Sequence, residues 1–436
     1  MTTDPGPQGI PSLKEKISYG CGDFSSNLLW GISGAFLLYY YADVLRLAPS
    51  DIAVLLLVTR VFDAFCDPTV GYVIDRSGGR LVRPLIKWLA VPFGCVAFLA
   101  FLPISESAQV NLAWAYVSYL LFGLIYAAIN TPYGILQGIM TTDPQSRVSL
   151  GTFRMIGCQL GTLTVNAITL PVIHWLGGGS ARENELVGFP LYMALIGAVG
   201  TALWFVTYRG CKVRFQPESP RHGFMVLVKS LLRNRPWIVC TVAFGLSFVG
   251  LCAFLTFSIY YARFVLHKDA EFGGFLLLVF TVCSLIGNVS VTLPFFAQIS
   301  KQRRLQTGYL LQAVALAIIG FFPGNMAVFI PCFLIACCAS GFGSPLYYAM
   351  IADSIDHGAR LTGVRTAGMG YSLNSWLQKM VFGVTGALLA AFLGFGGYAP
   401  EALQQGEHLA TWVTAGFIWL PAAVSLLLLP IISLYR

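Results

Sequence analysis

The chain reads as an all-α membrane protein of twelve spanning helices arranged as two sets of six, and three observations lead there. Of its 436 residues 56% are hydrophobic and only 11% are charged, and the mean hydropathy is +0.72, a composition that excludes a soluble core. Twelve apolar segments are long enough to span, near 18–45, 51–75, 84–104, 110–140, 149–176, 189–208, 236–265, 271–299, 306–322, 326–352, 368–394 and 409–434. A long basic stretch, 209–235, separates the sixth from the seventh. The expected organisation is a bundle over 1–208, a cytoplasmic loop over 209–235 and a second bundle over 236–436, as in transporters built from two related halves around a central site.

The polar start, Met1 to Lys16, has no apolar core and does not read as a cleavable signal. With both termini inside, the interior loops hold Lys14, Lys16, Arg76, Arg80, Arg83, Lys87, Arg147, Lys301, Arg303, Arg304, Arg360, Arg365 and the cations of the central loop. The exterior holds only Arg46, Arg182, Arg263 and Lys268. This bias places both termini in the cytoplasm of a multi-pass protein in the cell's inner (plasma) membrane. The net charge of +8 is therefore topological. Nucleic acid is not expected as a partner, because the basic residues are dispersed over membrane-flanking loops.

In the second segment Arg60, Asp63 and Asp67 lie inside an apolar run. Each charge at the centre of a spanning helix costs roughly 2.5–3.5 kcal/mol on insertion scales, so three persist only in pairs or beside a wet cavity. At about 100° per residue Asp63 and Asp67 point within roughly 40° of each other, with Arg60 one turn away on nearly the same face. Transport explains such a face, and a structural pairing of Arg60 with Asp63 is the plainer reading of the arginine. In the central loop Phe224, Val228, Leu231 and Leu232 fall on one side of a possible helix that carries Lys229 and Arg233, consistent with a membrane-surface helix or a plain linker. Gly157 and Gly161 read as helix packing, and Tyr39 to Tyr41 fit an interfacial aromatic belt better than rings that stack on a substrate.

Other classes lack their signatures. Most of the eleven cysteines lie within spans, no CxxC pair occurs, and His174, His222, His267, His357 and His408 show no HExxH spacing, so no metal site is expected. No Walker A sequence, GxSxG elbow or nucleophile–base constellation is present, so neither an enzyme with catalytic residues nor an ATP-driven pump is expected. The energy for transport then comes from a gradient.

The stretch Gly71-Tyr-Val-Ile-Asp75-Arg76-Ser-Gly78-Gly79-Arg80 closely resembles the loop motif between the second and third helices of the major facilitator superfamily. Its glycines let helix ends approach, and Asp75 with the arginines can form a cytoplasmic latch. More closely, the chain resembles the glycoside-pentoside-hexuronide (GPH):cation symporters, the melibiose-permease-like branch. The likeness is carried by Ser18-Tyr-Gly-Cys-Gly22-Asp23-Phe with Tyr39-Tyr40-Tyr41-Ala-Asp43, by Arg60 to Pro68, and by Ala352-Asp353-Ser-Ile-Asp356-His357-Gly358 leading to Gly363-Val-Arg365 and Tyr371-Ser372.

The resemblance implies a twelve-helix fold, sugar uptake, and coupling to Na⁺, Li⁺ or H⁺. It implies cation ligands at Asp63 and Asp67, with Cys66 beside them, and a functional lysine at Lys379. Sugar contacts are implied at Asn27, Asn130 and Arg154, with Asn374, Ser375 and Gln378 near Lys379. Gating roles fall to Asp75, Arg76, Arg80, Asp353, Asp356 and Arg365. Asn27 and Asn130 stand where melibiose permeases have carboxylates and Gly134 where they have a stacking tryptophan, which weakens a galactoside assignment. An asparagine still offers a donor and an acceptor to sugar hydroxyls.

Cys66 and Ala127 occupy places that resemble oxygen-bearing positions in Na⁺-coupled relatives, which favours H⁺ over Na⁺, and two carboxylates that resist ionising together suit a proton carrier. No cofactor beyond the coupling ion is expected, and the partners are a small sugar or glycoside and the bilayer, with the protein a monomer. An anionic sugar such as a hexuronide and a neutral glycoside or pentoside remain open. So do a lysolipid or amphipathic-compound carrier, since a eukaryotic lipid-transporting branch shares the general resemblance, and a non-transporting membrane sensor or scaffold.

Overall fold

A computed structural model describes residues 9–215, 222–268, 270–397 and 408–435. The side chains of Arg60 and Asp63, inside the second helix, lie outside the described residues. Among the described residues every regular element is helical: α1 (Leu13–Tyr39), α2 (Pro49–Arg76), α3 (Val82–Leu99), α4 (Ala108–Met140), α5 (Pro144–Gly177), α6 (Arg182–Gly210), α7 (Phe224–Arg233), α8 (Arg235–Phe264), α9 (Ala270–Ser290), α10 (Pro294–Ala297), α11 (Lys301–Phe321), α12 (Met326–Ser340), α13 (Gly343–Thr362), α14 (Ala367–Phe395), α15 (Leu409–Thr414) and α16 (Leu420–Ser433). Short π-helical turns over Tyr40–Val44 and Ala415–Trp419 extend α1 and join α15 to α16.

Ten helical stretches are long and apolar enough to cross a membrane, α12 and α13 counting as one over Met326–Thr362 and the last running Leu409–Ser433. The other two expected spans are α1 and α2, which at 27 and 28 residues are long enough. They carry several of the polar positions singled out in the sequence, among them Asp23, Asn27 and Asp67.

Local signals set the helix ends. Ser12 and Glu15 form a reciprocal capping box at the start of α1, Glu15 Oε2 accepting from Ser12 N–H at 2.8 Å. Asp143 accepts from Ser146 N–H at 2.6 Å to cap α5, and Gly178, at φ 86, ends it in the left-handed region. Pro68 inside α2 removes a backbone donor one residue beyond Asp67.

By contacts the chain divides into two compact units, Met1–Ser230 with Gly358–Leu373, and Leu231–His357 with Asn374–Arg436. The expected bundles were divided at the central loop, but 358–373, from the second half of the sequence, packs within the first unit. Three contacts hold it there. Asp75 bonds to the backbone of Gly368 and Met369, Ser230 Oγ lies 2.8 Å from Thr362 Oγ1, and Gly71 lies so close to Gly368 and Ser372 that an added Cβ would sit 2.2 Å from Ser372 Oγ.

In the first unit α1 is the central element, packed on α5 and α6. Glycine makes this possible. A Cβ on Gly157 would lie 2.1 Å from the Gly20 carbonyl oxygen, and one on Gly161 would lie 2.8 Å from Asn27 Cβ, so α1 and α5 meet backbone to backbone. Ser25 Oγ donates to Gly200 O at 2.8 Å and Thr207 Oγ1 to Ser18 O at 2.8 Å, fastening α1 to α6. Tyr40 and Tyr41 do not form an interfacial belt. They are 0% and 1% exposed, and their hydroxyls donate to Phe101 O at 2.8 Å and Ala100 O at 3.3 Å, because burial obliges each hydroxyl to find an acceptor.

The second unit is built on rings. Phe254, Tyr261, Phe329, Phe333 and Phe417 form a buried cluster from α8, α12 and the π turn before α16, with Tyr261 and Phe417 stacked at 4.6 Å between centroids. Gly287 and Gly341 supply its close approach: a Cβ on Gly287 would lie 2.0 Å from Cys338 O.

Two predictions arise. Gly157→Val forces backbone against backbone and should destabilise the protein by about 1–3 kcal/mol, the range for overpacking, read as a lower melting temperature in detergent. Near the start of α1, Glu15 pairs with Arg214 at 2.9 Å. Burial works to raise the Glu15 carboxyl, but hydrogen bonds from Arg214 and Ser12 outweigh it and hold the group below its ordinary value. A lowered folded-state value contributes stability above the unfolded value and loses it as pH falls through the folded one. Glu15→Gln should therefore melt below the parent at neutral pH, with the gap closing as pH falls below about 4.

Candidate functional site

Both units carry polar groups that the hydrocarbon phase disfavours. In the first unit these begin with Asp23 on α1, 6% exposed, and Arg154 on α5, 4% exposed. Arg154 Nε lies 3.5 Å from Asp23 Oδ1, and the guanidinium stands over the Tyr133 ring at 4.8 Å from its centroid. Tyr133 is itself held firmly. Its hydroxyl donates to Tyr19 O at 2.7 Å, its ring stacks on Tyr19 at 4.6 Å, and Trp204 meets it edge-on at 5.3 Å. The Cys158 thiol hydrogen-bonds with the side chains of both Asp23 and Asn27, and Asn27 Nδ2 donates to Asp23 O at 2.9 Å. Arg154 is thus enclosed within the first unit.

Asn130 on α4 is half-buried, and its Oδ1 is a buried acceptor that no donor reaches among the described residues. Beside it on the same helix, Gly134 has the Tyr371 ring against it: an added Cβ would lie 3.1 Å from Tyr371 Cδ1. A tyrosine from far along the chain therefore fills the space next to the position where the resemblance lacks its tryptophan. Cys66 and Asp67 on α2 are buried, at 6% and 2% exposed, and Ala127 is buried at 3%. Asp63, the other expected cation ligand, lies outside the described side chains.

In the second unit Asn374 and Gln378 follow each other at one helical turn on α14, as do Ser375 and Lys379. Asn374 is 2% exposed. Its Oδ1 and the Gln378 Nε2, like Trp376 Nε1, are buried with no hydrogen-bond partner among the described residues. Buried polar groups are nearly always satisfied, so such atoms mark places built for another partner.

The gating residues separate by environment. Asp75 is 8% exposed and accepts from Gly368 N–H at 2.6 Å and Met369 N–H at 2.8 Å, the first residues of α14, whose unpaired amides favour an anion. Arg365 adds an attractive charge to the same carboxylate. Arg76 and Arg80 are exposed, and neither is the partner of Asp75 in these bonds. In the second unit Lys301 contacts Asp353 directly, while Asp356 is half-buried.

Sequence reasoning did not anticipate Tyr19, Tyr133, Cys158 or Tyr371. Tyr19 and Tyr371 lie within the stretches that carry the resemblance, but nothing local announces the pairing of Tyr19 with a ring 114 positions away or of Tyr371 with Gly134. The eleven cysteines are unbridged, and among the described residues no group of three or more His, Cys, Asp or Glu is placed to hold a metal.

Comparison with known proteins agrees with this architecture. Residues 18–436 match the family model described as MFS/sugar transport protein. The chain is 29% identical over 416 residues to the isoprimeverose transporter of Lactiplantibacillus pentosus, covering 93% of this chain and 85% of that one. It is 26% identical to the inner membrane symporter YicJ of Escherichia coli, covering 96% and 90%, and 27% identical to the glucuronide carrier protein homolog of the same organism, covering 91% and 86%. A crystal structure of the E. coli fucose:proton symporter FucP superposes with a TM-score of 0.70 over 96% of this chain and 98% of that one, at 15% identity.

The Asp75 contact yields a test. Asp75→Ala leaves two helix N–H groups without their charged acceptor and should lower stability by about 1.5–3 kcal/mol, measured by thermal melting, whereas Arg76→Ala, at an exposed position, should change it by less than about 0.5 kcal/mol. With an enclosed ion pair among its spans and a family match over nearly its full length, the chain belongs to the MFS/sugar transport protein family, as a symporter of the GPH type.

Proposed function

We propose that the protein imports a sugar, a glycoside, pentoside or hexuronide, together with a cation, H⁺ in preference to Na⁺, by alternating access. The observation that carries this reading is that buried amide atoms without a protein partner among the described residues include Asn130 Oδ1 in the first unit and Asn374 Oδ1 and Gln378 Nε2 in the second, at positions singled out for sugar contacts. Each is an acceptor or donor of the kind a hydroxyl-rich ligand satisfies, and sugar transport is what the names of several relatives state of those proteins.

For the coupling ion the support lies in α2. Asp67 is 2% exposed, and a carboxylate sealed in a spanning helix is a functional group by default. The neighbouring Cys66 thiol and the Ala127 methyl offer no hard oxygen to Na⁺. The cycle we propose begins with protonation of Asp63 and Asp67 from outside and sugar binding, and proceeds to release inside, with Lys379 close in function to this ion site. The hydrogen bonds of Asp75 to the start of α14 break and reform during the cycle. The loop charges place both termini in the cytoplasm, and the working unit is a monomer.

The deciding experiment is sugar-dependent alkalinisation of lightly buffered cells expressing the chain, over isoprimeverose and methyl xylosides, galactosides, glucosides and glucuronides, with and without Na⁺. Alkalinisation by one class is expected, and Asp67→Asn should lower accumulation by about tenfold or more, equivalent to about 1.4 kcal/mol of coupling, while exchange of labelled sugar across the membrane persists. Full accumulation in that variant would remove Asp67 from the coupling site. Silence with every sugar, together with uptake of a lysolipid, would replace the sugar reading with a lipid carrier.

A further inference from the structure

Two cations at the start of α3 converge on one ring at the end of α6. The Arg83 guanidinium lies 4.9 Å and the Lys87 ammonium 5.9 Å from the centroid of Tyr208, and Arg83 Nη2 also donates to the Tyr208 carbonyl at 2.8 Å. Arg83 is thus held twice by one residue, through its ring and through its backbone, with further guanidinium N–H groups left over. The two helices are themselves fixed against each other: a Cβ on Gly94 would lie 2.7 Å from Gly197 O, and Thr201 Oγ1 donates to Ala90 O at 3.1 Å. No carboxylate pairs with Arg83 or Lys87 among the described residues, and the first turn of α3 carries no acid. Like charges one helical turn apart repel. An anion placed between them would turn that repulsion into two attractions.

The helix row that carries these cations selects the anion. Arg83, Lys87, Val91 and Cys95 follow one another at four-residue spacing and all are exposed, so one outward row of α3 begins cationic and turns apolar. Trp88, 61% exposed, adjoins the row, and a tryptophan near the end of a spanning helix sits at the level of the lipid headgroups. Arg209, also exposed, follows Tyr208 at the end of α6. A soluble anion would match the cations and leave the apolar part of the row unused. A phospholipid matches both parts, its phosphodiester accepting from Arg83 and Lys87 and a chain passing Val91 and Cys95. A zwitterionic headgroup would bring its own ammonium to the same place, against the two cations, whereas an anionic headgroup brings none.

We propose that Arg83, Lys87 and Tyr208 form a binding site for an anionic phospholipid, whose phosphate bridges the two cations while an acyl chain lies along Val91 and Cys95. The bound lipid offsets the repulsion at the start of α3 and joins that helix to the end of α6, beside the point where the central basic stretch begins. A ligand that binds only the folded protein stabilises it by mass action, so the lipid composition of the bilayer becomes a determinant of stability. The site is independent of which sugar is carried and of which ion drives it.

The test is tryptophan fluorescence of the purified full-length protein in phosphatidylcholine nanodiscs that contain, at equal fraction, either brominated phosphatidylglycerol or brominated phosphatidylcholine as quencher. The contribution of Trp88 is the difference between the parent and Trp88→Phe. It should be quenched more by the phosphatidylglycerol, and this preference should weaken as salt is raised. Arg83→Gln and Lys87→Gln should each lower the relative affinity for phosphatidylglycerol by about fivefold. Lys87→Arg should keep it, and so should Arg263→Gln, which removes an exposed arginine that lies over the Phe264 ring at 5.8 Å. Equal quenching by the two lipids, a preference that survives the loss of both Arg83 and Lys87, or the same fall in Arg263→Gln overturns the proposal. Displacement of the lipid by inorganic phosphate or glycerol 3-phosphate at matched ionic strength also overturns it, since the site would then take a soluble anion. Melting of the parent alone is a second readout, free of any variant: phosphatidylglycerol must raise the melting temperature above that in pure phosphatidylcholine, and no rise overturns the site. Each of these outcomes leaves sugar symport standing.

Discussion

A charge surrounded by hydrocarbon and packed side chains persists only with a partner, and that constraint organises this protein. Asp23 has Arg154, Asp75 has two backbone N–H groups at the start of a helix, and Asp353 has Lys301. None of these partners lies nearby in sequence. Each pairing therefore ties remote helices together, and helix positions in turn decide which charges are neutralised. A soluble protein could leave the same residues to water. Here they have to be enclosed with their partners.

Close backbone approach is the other side of the same arrangement. α1 can bring Asp23 and Asn27 to α5 because Gly20, Gly157 and Gly161 remove the side chains that would keep the helices apart. The contact has little tolerance, since at Gly157 the obstacle to a larger residue is a carbonyl oxygen and not a movable side chain. The glycines singled out as packing residues thus set the distance across which Asp23 and Arg154 interact. In the second unit aromatic rings interlock with aliphatic side chains around α8, and polar α14 positions such as Asn374 and Gln378 keep buried amide atoms without a partner among the described residues.

The grouping of 358–373 with the first unit joins these themes. Gly71 permits contact with Gly368, and the Asp75 carboxylate then meets the positive end of α14. The loop motif beginning at Gly71 had indicated a latch made by Asp75 and neighbouring arginines. The acceptor role of Asp75 is instead toward backbone amides, with Arg365 contributing charge nearby. Backbone donors have no residue identity, so a motif can announce the carboxylate without announcing what it binds.

The sequence by itself determined that the chain is a helical membrane protein, where its spans lie, and which spans carry charge, because length, hydropathy and loop charge are local properties that the bilayer reads directly. It also determined the family, through short motifs such as Arg60 to Pro68. The tertiary structure alone decided the partners: Tyr133 on Tyr19, Cys158 between Asp23 and Asn27, Tyr371 against Gly134, and Asp75 on an amide pair 293 and 294 positions away. Those contacts depend on how separate helices are brought side by side, and helical periodicity orders residues along one helix while leaving open which face of another it will meet.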